Sequence, residues 1–119
     1  MKRRTLKSLQ WAIGSAPDKR GQARAFYGLG VFHDNNSREA MAIPNYQKAI
    51  RLGLGKNREA MARAWLASSF FKTGRPKQAL RECERAAKIV KSASLRKFIS
   101  GLEKRIRRKG CQLNLLDEA

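Results

Sequence analysis

Apolar residues recur at helical spacing along most of the chain, and short polar or glycine-containing segments separate them. The clearest stretch is residues 64–86, where apolar and small residues lead into and out of the turn Thr73-Gly74-Arg75-Pro76. Their spacing is that of a buried helix face. Gly74 can end a helix in the left-handed conformation, and Pro76 suits the first turn of the next helix. The stretch therefore predicts a helical hairpin.

Three more helices are predicted ahead of this hairpin. A short amphipathic helix with a basic start lies within residues 1–16. Asp18 is the predicted N-cap of a long helix over about residues 19–33, and Ser37 is the predicted N-cap of a third helix. The third helix ends near residue 52, before the connection Gly53–Asn57.

Pro44 lies inside the pattern of the third helix. A proline beyond the first turn removes a backbone hydrogen bond. The sequence therefore leaves two alternatives: the helix begins late, near Met41, or it bends at Pro44.

A last amphipathic helix is predicted over about residues 93–108, with Gly110 as its end. Its polar face is basic, which suits the solvent-facing end of a helical array. Residues 111–119 then form a short tail. The predicted fold class is all-α, with residues 1–110 as a single domain.

Two segments align at a constant offset of 37 residues, and seven pairs of residues match, most of them small or apolar. Chance matches in an ordinary helical bundle are the alternative, but seven pairs at one offset favour an internal repeat. The pairs are Leu29 with Leu66, Gly30 with Ala67, His33 with Phe70, Ala42 with Ala79, Ile43 with Leu80, Tyr46 with Cys83, and Ala49 with Ala86.

These segments resemble the tetratricopeptide repeat, a helix–turn–helix unit of about 34 residues, in its short bacterial form. The two units span about residues 23–56 and 60–92, and they depart from the family pattern at His33, Arg63 and Cys83. The resemblance implies stacked helical hairpins with flanking helices as caps. The matching residues are Phe26, Leu29, Gly30, Ala42, Tyr46 and Ala49, then Leu66, Ala67, Phe70, Gly74, Ala79 and Ala86.

The chain is strongly basic, with 27 Lys and Arg against 9 Asp and Glu and a net charge of +18. That balance favours an anionic partner such as nucleic acid or an acidic protein, or alternatively a highly soluble basic surface. No apolar run approaches the roughly 20 residues of a membrane span, so no membrane partner is expected. Two cysteines make no disulfide framework, which indicates a cytoplasmic location.

No catalytic constellation is visible. The single histidine, His33, shares no motif with a Cys, Ser or carboxylate and is interpreted as a packed residue. No Cys or His spacing suits a metal ion. The segment Gly53-Leu54-Gly55-Lys56 lacks the spacing of a phosphate-binding loop and follows a predicted helix. We therefore expect no enzymatic activity, no metal and no cofactor.

The family resemblance implies a concave groove lined by the first helix of each unit. Such a groove holds an extended peptide or a partner helix, and its basic residues predict that this partner is acidic. Alternatively, two units make too short a groove and these are ordinary surface residues. The positions carried onto the groove are Arg24, Tyr27, Val31, Asp34, Asn35, Met61, Ala64, Ser68, Phe71 and Lys72.

The basic ends support a second hypothesis, a nucleic-acid-associated accessory factor. Arg3 and Arg4 near one end and Arg105 and Arg108 near the other are the candidate phosphate contacts. Little aromatic interleaving argues against stacking on single strands. Alternatively, both clusters are solvated capping surfaces.

The tail carries the segment Gln112-Leu113-Asn114-Leu115-Leu116. It resembles the peptide with which bacterial DNA polymerases and repair proteins bind the sliding clamp, so Gln112, Leu113, Leu115 and Leu116 are candidate clamp contacts. Alternatively, the leucines cover the last helix as a hydrophobic lid.

Exposed stacking faces at the ends of the repeats also predict a homodimer as a candidate assembly.

Overall fold

The computed structural model describes residues 5–112, with side chains as far as Lys109. Two helical hairpins, α2–α3 and α4–α5, pack one on the other through α3 and α4. The first helix, α1, packs against α2, and α6 packs against α5 and α4. The six helices are α1 Leu6–Ser15, α2 Lys19–Asn35, α3 Glu39–Leu52, α4 Lys56–Lys72, α5 Pro76–Ile89 and α6 Ala93–Gln112.

Side-chain caps fix the starts of the first two helices. The Asp18 carboxylate accepts a hydrogen bond of 2.7 Å from the Gly21 N–H, which confirms Asp18 as the N-cap of α2. Thr5 and Ser8 form a reciprocal capping box at the start of α1. Each cap satisfies a backbone group that the first helical turn leaves without a partner.

The turns of the two hairpins have the same hydrogen bonds, which define a Schellman motif. In the second hairpin the Arg75 N–H donates to the Phe70 carbonyl at 2.8 Å, and Gly74 has a φ of 81°. In the first, the Arg38 N–H donates to the His33 carbonyl at 2.8 Å, and Ser37 has a φ of 58°. Ser37 is thus the counterpart of Gly74 at the end of α2. Its prediction as the N-cap of α3 is wrong.

Two predicted helix boundaries also differ from the structure. α3 begins at Glu39, so the late start near Met41 is wrong and Pro44 lies in the second helical turn. α6 continues to Gln112, two residues beyond the predicted end at Gly110. A glycine lowers helix stability by only about 1 kcal/mol, which a helix packed on its neighbours can absorb.

Small residues bring the helices of each hairpin close together. Ala42, Ala67 and Ala79 have no exposed surface, and they lie in one core with Tyr46 and Cys83. This core runs from α3 through α6, where four apolar side chains continue it. The packing accounts for the recurrence of alanine and glycine at the repeat offset. The four side chains of α6 are Leu95, Ile99, Leu102 and Ile106.

Charged side chains join the helices where the apolar core ends. Glu82 is buried and accepts hydrogen bonds of 2.7 Å from both Arg63 and Arg85. Arg63 also donates to Glu59 at 2.9 Å. Arg63 departs from the family pattern, and this network explains why: its guanidinium ties α4 to α5, a role that an apolar residue could not fill.

Candidate binding groove

The first helices of the two hairpins, α2 and α4, form the floor of an open groove. A depression of about 580 Å³ lies between them, with an edge formed by α1. We call it the central groove. Its lining is mainly apolar and aromatic, as in most sites that bind ligands through side-chain contacts. It is lined by Leu9, Tyr27, Gly28, Val31, Phe32, Asn35, Met61 and Trp65.

A second depression of about 350 Å³ continues the groove towards α6. Met61 and Trp65 line both depressions, so the surface is continuous across α4. The Trp65 and Phe98 rings lie 5.6 Å apart between centroids and are tilted by 52°. The polar residues Asn57, Ser92 and Ser94 also line this depression. We call this part the Trp65–Phe98 pocket.

The two ends of the groove are polar and basic. At the start of α4, a depression of about 420 Å³ is lined by Tyr27, Lys56 and Arg58 among others. At the end of α4, a smaller hollow of about 110 Å³ is lined by Asp34, Asn35, Lys72 and others. The groove therefore has an apolar centre between a basic end at Lys56 and Arg58 and an end where Lys72 lies near the Asp34 carboxylate.

Seven of the ten predicted groove residues line these depressions: Tyr27, Val31, Asp34, Asn35, Met61, Ser68 and Lys72. Three do not. Ala64 has no exposed surface and belongs to the core, so its side chain cannot contact a ligand. Phe71 is half-buried and packs against the core, and Arg24 is exposed beyond the residues that line the depressions.

Trp65, the central aromatic side chain of the groove, is not among the residues predicted from the sequence. The repeat offset aligns Tyr27 with Ala64, and the next position in each unit is Gly28 or Trp65. The prediction chose Ala64 in place of Trp65, an error of one residue along α4. One residue turns the side-chain direction by about 100° around a helix, so the predicted contact lies in the core. A signal was present: Met61, Trp65 and Ser68 have the i, i+4, i+7 spacing of one helix face.

Asp34 holds the groove wall together near Lys72. Its carboxylate accepts hydrogen bonds from the Tyr46 hydroxyl of α3 and, at 2.9 Å, from the Ser69 hydroxyl of α4. Burial, together with the neighbouring Asp34, raises the pKa of Tyr46, so its phenol stays protonated and keeps donating. Three helices are thus connected through one carboxylate.

Tyr27 also remains a neutral phenol. Burial raises the pKa of Tyr27, while the Trp65 indole and the positive charge of Arg58 act in the opposite direction. Tyr27 packs against Tyr46 with 6.0 Å between ring centroids. This position gives the central groove a fixed aromatic contact with one polar atom.

Cys83 and His33 are both buried in the packed interior. Cys83 is buried, and burial and then the charge of Glu103 raise the pKa of its thiol to about 12. A thiol with so high a pKa stays protonated at neutral pH, and the protonated form is a poor nucleophile. Within residues 5–112, no three His, Cys, Asp or Glu side chains come together as a metal-binding group.

His33 is 3% exposed, and its Nδ1 accepts a hydrogen bond of 3.2 Å from Arg38. Burial, and then the charge of Arg38, lowers the pKa of His33, so the folded protein favours the neutral ring. The unfolded chain binds the proton first as the pH falls below about 6.5. Stability should therefore decrease with falling pH from that value until the folded ring is also protonated.

His33→Phe should remove this pH-dependent loss of stability, because phenylalanine does not bind a proton. The ring should fit, because Phe70 occupies the equivalent position of the second repeat. Urea unfolding of the natural and substituted proteins between pH 7.5 and 5 measures the difference. Parallel loss of stability in the two proteins would contradict the assignment to His33.

Several predicted site residues cannot be placed. Arg3, Arg4, Leu113, Leu115 and Leu116 lie outside the described residues. Gln112 is the last residue of α6, and its side chain is not described. The sliding-clamp contact, the hydrophobic lid and the homodimer therefore stay predictions. Arg105 and Arg108 are both exposed on α6.

Stacked helical hairpins with an open groove define the class of helical-repeat scaffolds. The sequence model of the family described as tetratrico peptide repeat matches residues 23–105, well over half of the chain. The chain belongs to the tetratricopeptide repeat family, whose members are typically non-enzymatic protein–protein interaction modules. The match reaches into α6, which the sequence analysis treated as a cap outside the repeats. Comparisons with curated proteins and with solved structures gave no match. None of the described helices is long and apolar enough to cross a membrane.

Proposed function

We propose that the protein is a non-enzymatic interaction module that captures an acidic, amphipathic peptide or helix in the central groove and the Trp65–Phe98 pocket. The observation that carries the proposal is the apolar centre, built on Tyr27, Met61 and Trp65, with the basic side chains of Arg58 and Lys72 at its two ends. A ligand with apolar side chains in the middle and carboxylates at its ends matches this pattern. The free, buried thiol of Cys83 accords with a cytoplasmic location, which is part of the proposal.

The exposure of Met61 and Phe98, their side-chain chemistry and the charges at the groove ends favour capture of a ligand over nonspecific adhesion. Met61 is 37% exposed and Phe98 is 38% exposed, and both are fixed on helices that pack into the core. Met is an adaptable contact, and aromatic rings anchor interfaces at low entropic cost. Charges at the two ends then select an acidic partner and speed its association.

Tryptophan fluorescence can report on the groove, because the chain has two tryptophans and Trp11 is 73% exposed on α1. Trp11→Phe leaves Trp65 as the only indole. The probe is a 16-residue peptide with Leu at i, i+3, i+4 and i+7 positions and Glu at most others. We expect a saturable blue shift of Trp65 emission with this peptide and little change with its Lys-substituted counterpart.

Trp65→Ala should weaken binding of the labelled acidic peptide about thirtyfold, as for a central aromatic contact worth about 2 kcal/mol. Lys72→Glu should weaken it about tenfold. Trp11→Ala and Lys48→Glu change an exposed tryptophan and an exposed lysine outside the groove lining, and they should leave the anisotropy titration unchanged. Equal affinity for the Lys-substituted peptide, or full affinity of Trp65→Ala, would refute capture in this groove.

A further inference from the structure

Positive charge is concentrated on the last helix, away from the groove floor. Residues 96–109 carry seven Lys and Arg against one Glu. That acid, Glu103, lies 3.6 Å from Arg107 and is offset by it. The other basic side chains of this segment have no ion pair within the described residues. The helix therefore presents net positive charge along most of its length.

The arrangement on α6 follows from its buried stripe. Ile99, Leu102 and Ile106 face the core, so residues about half a turn away point outwards. The outward stripe contains Lys97, Lys104 and Arg108, all exposed. α6 is an edge helix that packs against α5 and α4, and the side chains of this outward face are exposed.

The face lacks the features of a protein- or membrane-binding surface. Between its basic residues lie Ser100 and Gly101, both exposed. Protein interfaces depend on aromatic and apolar anchors, and interfacial helices need an apolar face to enter the lipid. Phe98, the exposed aromatic residue of α6, lies in the Trp65–Phe98 pocket instead. Attraction through charge alone fits a phosphate backbone.

The geometry also distinguishes between nucleic acids. Binding to single strands relies on exposed aromatic platforms, and this face has none among its described residues. The major groove of B-form DNA, about 12 Å wide, admits an α-helix, whereas that of duplex RNA is too narrow. α6 has 20 residues, so it is about 30 Å long and can follow phosphates over several base pairs.

We propose that α6 lies along the major groove of duplex DNA and that its outward face binds the phosphate backbone there without sequence preference, through Lys97, Lys104, Arg108 and their basic neighbours. This function is additional to peptide capture and uses a different face. It predicts an affinity that falls steeply with salt, with a slope of log K against log salt of about −5 for five to six phosphate contacts.

The test is a fluorescence anisotropy titration of the full chain with a labelled 30-base-pair duplex, from 50 to 200 mM salt. A triple variant, Lys97→Gln, Lys104→Gln and Arg108→Gln, should reduce the magnitude of the slope by about 2.7, or 0.9 per lost contact. The control triple variant, Lys19→Gln, Arg20→Gln and Arg51→Gln, removes the same charge from exposed positions on α2 and α3. It should change the slope by less than about one. Circular dichroism melts check that both triple variants stay folded.

Each other result overturns the proposal. No binding at 50 mM salt removes it, and equal slopes for the two triple variants show diffuse charge attraction instead of a site on α6. Tighter binding of single-stranded DNA or duplex RNA contradicts the choice of duplex DNA. Tighter binding of polyglutamate or of phosphatidylserine vesicles assigns the face to an acidic protein or to a membrane surface.

Discussion

Gly30→Ala should lower the free energy of unfolding by about 1 kcal/mol, although alanine is the better helix former. A Cβ at residue 30 would lie 2.7 Å from the Cδ1 and Cε1 atoms of Tyr46 and 3.1 Å from its Cζ. Tyr46 cannot move aside, because it has no exposed surface and its hydroxyl donates to Asp34. Overpacking of about 1–3 kcal/mol, with strain on this hydrogen bond, therefore outweighs the helix-propensity gain of about 1 kcal/mol.

Gly101→Ala is the matched control. Gly101 lies within α6, is exposed, and has no neighbouring atom within 4 Å of an added Cβ. The same chemical change should there raise stability by roughly 0.5–1 kcal/mol. Urea denaturation measures both variants, with comparison of midpoints at constant m-value. Equal effects of the two substitutions would contradict close packing of Tyr46 on Gly30.

The second repeat contains the complementary solution. Ala67 and Cys83 occupy the positions equivalent to Gly30 and Tyr46, and both are completely buried. In the first repeat, Gly30 leaves room for the Tyr46 ring. In the second repeat, the larger Ala67 accompanies the smaller Cys83 side chain. In a Tyr46→Cys background, Gly30→Ala should therefore become neutral or stabilising, with a coupling energy above about 1 kcal/mol. Additive effects would show that the two positions are independent.

The fold was predictable because it depends on local signals that repeat. The spacing of apolar residues located all six helices, and the offset of 37 residues identified two hairpins before any contact was known. Gly74 marked its turn because a left-handed residue is needed there and glycine adopts that conformation freely. Ser37 occupies the equivalent left-handed position of the first turn. Serine usually caps a helix start, so the sequence predicted an N-cap, but here the repeated turn geometry overrides that preference.

The site was less predictable because it depends on the rotation of helices and on partners distant in sequence. Trp65 was missed through an error of one residue in register, whereas Lys72 and Tyr27 were placed on the groove. The pair formed by Trp65 and Phe98 joins residues on different helices, and no pattern within either helix indicates it. Long-range contacts of this kind require the packed structure.

Asp34→Ala should lower the free energy of unfolding by about 3 kcal/mol, a large effect for a half-buried residue at the end of a helix. The substitution leaves the hydroxyls of Tyr46 and Ser69 without their acceptor, and both residues have no exposed surface. An unsatisfied buried hydroxyl costs about 1–3 kcal/mol. Asp34 itself is partly solvated, so the gain from no longer burying a carboxylate is small in comparison.

Two further variants separate this network from a general surface effect. Asp34→Asn retains one carbonyl oxygen as an acceptor and should cost about 1 kcal/mol, because one hydroxyl can still be satisfied. Asn35→Ala changes the exposed neighbour and should stay within about 0.5 kcal/mol of the natural protein. Urea unfolding at pH 7 gives all three values. A loss below about 0.5 kcal/mol for Asp34→Ala would mean that Tyr46 and Ser69 find other partners, and that this carboxylate does not hold the three helices together.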